Sequence, residues 1–184
     1  MGIFVIVVVV VLAGAVLIYN SLVSLQNRVQ NGWRQIDVQL KRRHDLIPNL
    51  IEAVKGAMEF ERDTLERVME ARGRAVGAGT VHDVAAAETA LSQSLGRLFA
   101  VMENYPALKA NENVLKLQEE LTTTENQLAF ARQFYNDMVM QLNTREQVFP
   151  ASIIATYFGF KPAEYFTAAT EDQGTPRVDL SLPK

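Results

Sequence analysis

Two histidines, His44 and His82, are the only imidazoles of this 184-residue chain. Lys41 and Gly79 stand three residues before them, so the Glu-x-x-His pairs that hold two metals inside a helical bundle are missing. Asp45, Glu52 and Glu59 recur at seven-residue intervals and share one helix side. Paired carboxylates work as acid and base only when their environments pull them apart, and a charged outer stripe does not do that. They read as a solvated face. The chain has no Cys, which excludes a thiol nucleophile, a Cys-based metal site, a disulfide framework and a lipid-bearing cysteine. No Gly-x-x-x-x-Gly-Lys loop or Gly-x-Gly-x-x-Gly turn is present, and Gly73, Gly77 and Gly79 read as a hinge between helices. No catalytic, cofactor-binding or metal-ligating residue is assigned, and a role without catalysis is expected.

Charges in the wrong place are more informative. Arg43 falls on an apolar stripe, and Glu125 and Arg132, seven apart, fall on another beside Leu121, Leu128 and Tyr135. A charge removed from water needs a partner. One reading is an interhelical network from Arg42 or Arg43 to Glu125, supported by Asn126, Arg132 and Asn136. The other leaves these side chains at the stripe's edge with only their stems buried. Sequence keeps both open.

The elements that carry them are helices. Apolar positions step at threes and fours through Leu22, Leu25, Val29, Trp33, Ile36, Leu40, Ile47, Leu50, Val54, Met58, Leu65 and Val68. That predicts one helix of about fifty residues. It wobbles at Arg43–His44 and at Glu61–Arg62, and ends in the segment from Gly73 to Asp83, where Thr80 or Asp83 can cap the next helix. Pro48 predicts a kink or local break near His44 to Ile47. A second stripe runs from Val84 to Tyr105 and stops at Pro106; a third runs from Asn111 to Leu142 and stops at Phe149-Pro150. Ser152 to Phe158 gives a last short helix before Gly159. The fold class is all-α: an elongated antiparallel bundle of three long helices plus a short C-terminal one.

Ile3 to Ile18 form an uninterrupted apolar run, extendable through Tyr19, Asn20 and Ser21 to Leu25, and the first charged side chain is Arg28. As a helix, residues 3–25 measure roughly 34 Å, enough for a hydrocarbon core of about 30 Å. A cleaved signal peptide would carry a basic n-region, which is missing, and an A-x-A-like site closing the apolar segment, which no triplet does cleanly. The cations Arg28, Arg34, Lys41, Arg42 and Arg43 all follow the span, which predicts an N-terminus outside and a cytoplasmic body. Ala13, Gly14 and Ala15 form the span's small-residue patch, where helices of neighbouring copies can approach. Lys41-Arg42-Arg43 lies about 24 Å beyond Leu25 on a straight helix, outside a Debye length of about 8 Å, so it is not read as a lipid site. The expected organisation is residues 1–25 as anchor, 26–166 as bundle, and 167–184 as an extended or flexible tail.

Net charge is −3 with signs interspersed and no basic block, so no nucleic-acid partner is expected. In the tail, Val178, Leu180 and Leu182 alternate with polar residues and are candidates for lying against a neighbouring subunit. Phe60, Phe99, Phe130, Phe134 and Tyr157 sit beside the main stripes, as broad core or as self-contact positions.

Tyr19 to Val23, Gly32 to Leu50, Tyr105 to Asn111, Leu117 to Leu121 with Glu125-Asn126, Ala131 to Asn136, Phe149-Pro150 and Phe158 to Pro162 follow one another at fitting distances. Together they resemble the LemA family, from about Tyr19 to Phe166. Gly32 departs from the family's commoner Ala, at about 1 kcal/mol in helix propensity. The resemblance implies a bacterial protein with one transmembrane helix, its N-terminus outside, and a cytoplasmic helical bundle. It implies no enzymatic activity. It also implies possible membrane neighbours, a zinc metalloprotease or a TPM-domain protein. Two functions remain: a homo-oligomeric scaffold at the membrane, or an adaptor for a membrane protease or envelope stress system.

Overall fold

The computed structural model describes residues 1–167, so the tail positions Val178, Leu180 and Leu182 lie outside the described residues. Helix α1 (Gly2–Lys55) runs unbroken for 54 residues, roughly 80 Å. Its stripe Leu22, Val29, Ile36, Leu40, Ile47, Leu50 and Val54 is buried. The expected continuation to Val68 does not occur. The chain turns at Gly56–Glu61, and α2 (Arg62–Gly77) folds back along α1. Gly56 is a poor helix former, and Met58 fills the corner with no exposed surface. Both arms bury the same stripe, so periodicity alone cannot see the turn.

Helix α3 (Val81–Met102) is capped by Thr80, whose Oγ1 accepts from the Asp83 N–H at 3.1 Å. A single turn, α4 (Pro106–Lys109), leads to α5 (Glu112–Gln147), which Asn111 caps by accepting from Asn113 N and Val114 N. Helix α6 (Ala151–Phe158) ends at Gly159, left-handed at φ 74°. Among the described residues there is no strand. The difference from the expected three long helices is that the first stripe divides into α1 and α2.

Helices α1 and α5 pair antiparallel along most of α5, and the α2–α3 hairpin covers their distal half. The distal core joins Ile47, Leu50 and Val54 to Val68, Leu91, Leu98 and Val114. The proximal core joins Leu22, Ile36 and Leu40 to Leu128, Tyr135, Val139 and Ala155. At Gly32 the two helices come so close that an added Cβ would lie 3.1 Å from Tyr135 Cα. The glycine that loosens the helix also permits this approach.

Pro48 does not break α1. Proline removes the N–H that would bond the carbonyl four residues back. That carbonyl, His44, instead accepts from Arg72 Nε at 2.7 Å. Helix α2 thus repairs the ladder of α1.

After α6 the chain runs as a strap back along α5. Asn143 and Asn136 each accept from a strap N–H and donate to the same residue's carbonyl, Ala163 (2.9 and 3.0 Å) and Phe166 (2.8 and 2.9 Å). Seven helical residues and three extended ones both cover about 10 Å, so the two clamps match in register.

Candidate functional site

The site with the most buried charge lies where α1, α3 and α5 meet. Arg43 Nη1 donates to Glu88 Oε2 at 2.9 Å, and Nη2 donates to Ser92 Oγ at 2.8 Å. The same Nη2 lies 3.0 Å from Glu125 Oε2, and Glu125 Oε1 lies 3.7 Å from Arg132 Nη1. His44 Nε2 and Glu88 Oε1 share a hydrogen bond of 2.6 Å. Arg132 stands over the Phe166 ring at 4.8 Å. Burial pulls the Arg132 guanidinium below its ordinary value; Glu125 opposes the fall and Arg43 adds to it.

Of the residues singled out from sequence, Arg43, Glu125 and Arg132 come together. Arg42 and Asn126 are exposed, and Asn136 serves the strap instead. Glu88, His44 and Ser92 were missed. Glu88 had a signal: Val84, Glu88, Leu91, Leu95 and Leu98 step at fours and threes, so a carboxylate occupies a core position of α3. It is fully buried, and both its oxygens are engaged. The Glu88 carboxylate and His44 imidazole tie α3 to α1, and Arg43 extends the tie to Glu125 on α5.

His82 is exposed, as are Asp45, Glu52 and Glu59. Phe99 is half-buried in the distal core, whereas Phe60 stands free at the distal tip. Phe130, Phe134 and Val38 line an open groove of about 540 Å³ between α1 and α5, bordered by Arg34, Gln35 and Gln127. Phe130 is 73 % exposed. Gln39 faces the same groove, and its buried Oε1 has no hydrogen-bond partner among the described residues.

At the proximal end, α1 holds a segment long and apolar enough to cross a membrane, with Ala13, Gly14 and Ala15 inside it. The bundle grips α1 before residue 25: Ile18 packs on the proximal core and Leu22 is fully buried.

The LemA family model matches residues 32–180. The chain belongs to the LemA family. It is similar to magnetosome protein MamQ 2 of Paramagnetospirillum magneticum, at 24 % identity over 86 % of this chain and 68 % of that one. Magnetosome protein MamQ of Magnetospirillum gryphiswaldense is 22 % identical over 80 % of this chain and 64 % of its own length. Protein LemA of Metamycoplasma hominis is 24 % identical over 88 % of this chain and 72 % of its own. A LemA protein with an apolar N-terminal helix fused to a helical bundle is suited to membrane anchoring, and its bacterial relatives' names refer to no reaction.

Proposed function

We propose that this LemA protein is a membrane-anchored scaffold without catalytic activity. Its first helix crosses the bacterial inner membrane with the N-terminus outside, and the cytoplasmic bundle self-assembles or gathers partners at the inner face. The observation that carries this reading is the continuity of α1 from the apolar segment to the distal half of the bundle. No joint separates anchor from rod, so an orientation imposed by the membrane is passed along roughly 80 Å of helix. The charge clamp on Glu88 and the Arg72 bond to the His44 carbonyl stiffen that helix where its own ladder is weakest. The groove with Val38, Phe130 and Phe134 offers an apolar flank for a second copy. Names that refer to a cellular structure, as those of the magnetosome relatives do, fit a scaffold.

The test is the mass of the full-length protein in native lipid or mild detergent, by light scattering, beside Phe130→Asp. A discrete oligomer that Phe130→Asp dissociates supports self-assembly through the groove. A monomer in both sinks self-assembly and directs crosslinking toward a foreign membrane partner, the adaptor reading. A truncation starting at Gln26 is unsuitable, because it removes Leu22 from the core.

A further inference from the structure

Helix α6 is apolar on both sides. Ala151 and Ala155 are buried and Ile154 packs inward against the proximal core. On the outer face Ile153 and Tyr157, four apart, are 60 and 82 % exposed, and Phe149, just before the helix, is 80 % exposed. Only Ser152 and Thr156 are polar in this helix. A helix whose outer face meets water carries polar residues there, so this face is built for another medium.

Its place in the molecule identifies the medium. The Phe158 ring lies 4.7 Å from Tyr19 and the Phe160 ring 5.8 Å, and Phe158 leans on Tyr157 at 5.1 Å. Tyr19 belongs to the charge-free segment of α1, which continues to Leu25, with Arg28 the first charge. The segment Ile18 to Leu25, about 10 Å of helix, is therefore both the last part of the apolar segment and the first part gripped by the bundle. A headgroup layer is roughly 5 to 8 Å thick on each side of a hydrocarbon core of about 30 Å, so α6 stands at that depth. Aromatic rings, tyrosine above all, favour this layer. Exposed Lys161, just past Phe160, can reach phosphates while its stem stays among apolar groups.

We propose that α6 is an interfacial helix, lying in the headgroup layer beside the anchor with Phe149, Ile153 and Tyr157 turned into the lipid. The proposal rests on the reading that α1 crosses the bilayer. A lone transmembrane helix can rotate about its axis; a second contact through α6 fixes that rotation and so fixes the direction in which the Phe130 groove faces.

The chain has no Cys, so single cysteines introduced for labelling report one place each. Nitroxides at Ile153→Cys and Tyr157→Cys in the full-length protein are compared with Val10→Cys in the span and Lys55→Cys at the far end of α1. The vesicles are phosphatidylethanolamine and phosphatidylglycerol, and the readout is collision with oxygen against a water-soluble nickel chelate. At positions 153 and 157 the oxygen-to-nickel ratio is expected to be several times that at 55 and below that at 10. Nickel access equal to position 55, with position 10 in lipid, overturns the interfacial helix and leaves the anchor intact. Nickel access at position 10 overturns both. Shielding of 153 and 157 from both reagents, with spin–spin broadening that disappears on dilution with unlabelled protein, overturns the proposal in favour of a face between copies.

Discussion

Arg43 Nη1 lies 2.9 Å from Glu88 Oε2, and neither side chain is more than 5 % exposed. Removing one member of such a pair strands the other's charge, at about 3 to 5 kcal/mol. Glu88→Ala is therefore expected to lower stability by about that amount. Glu125, 40 % exposed at its side chain, is screened by solvent, and Glu125→Gln should cost under about 1 kcal/mol. Arg43→Met combined with Glu88→Met should recover most of the loss, because apolar replacement of a whole buried pair is often neutral. Thermal melts followed by circular dichroism in detergent check all three; a Glu88→Ala protein that melts like the parent sinks the clamp.

Arg72 supplies the hydrogen bond that Pro48 denies to the His44 carbonyl. Arg72→Met should cost roughly 1.5 to 3 kcal/mol, the usual worth of a hydrogen bond to a charged group. In a Pro48→Ala background the restored N–H can bond the same carbonyl, so the second loss should be much smaller. Equal losses in the two backgrounds would show that Arg72 acts elsewhere. The double-mutant cycle isolates this coupling.

The sequence made the long-range order of the fold visible because its signals are local: a charge-free run, three apolar stripes, Asn111 and Thr80 at helix starts, Gly159 at a helix end. It hid the turn at Gly56 to Glu61, since Val54, Met58 and Leu65 keep one phase through the corner. It pointed to Arg43, Glu125 and Arg132 because charges interrupt stripes. Glu88 is legible by the same rule, since it stands four residues after Val84 and three before Leu91 on the buried stripe of α3. Asn136, expected to support the charge network, instead bonds the strap, because an amide on a helix gives no hint that an extended segment will cross it. Tyr157 reads from sequence as broad core or self-contact; that Phe158 and Phe160 meet Tyr19 is not legible there, because no local signal ties residues so far apart in the chain.

Asn136 holds Phe166, and Phe166 packs on Trp33 with ring centroids 6.3 Å apart. Trp33 is the single tryptophan, so its emission reports the strap. Asn136→Ala removes two hydrogen bonds to strap backbone, at about 1 kcal/mol each. The expected outcome is a red-shifted Trp33 emission with the helix content kept. Emission identical to the parent would mean that the Asn143 clamp and the Arg132 contact suffice to seat Phe166.

Glu146 is buried one helical turn past Leu142, and its Oε1 has no hydrogen-bond partner among the described residues. Burial pushes its carboxyl above the ordinary 4.5. The folded state therefore holds this proton more tightly than the unfolded chain does. Its contribution is fully present below the unfolded value and is lost as pH rises through the higher folded one. At neutral pH the ionised carboxylate is a net cost, so Glu146→Met should stabilise the protein by about 1 kcal/mol. That gain should shrink as pH falls through the raised folded value toward 4.5 and be largely gone below it, where the carboxyl becomes protonated in both states. Melting temperatures of parent and variant across pH 4 to 8, an estimated range set to bracket the carboxyl titration, decide it. A gain that is the same at both ends would assign the effect to packing, and a loss at neutral pH would mean that the carboxylate has a partner after all.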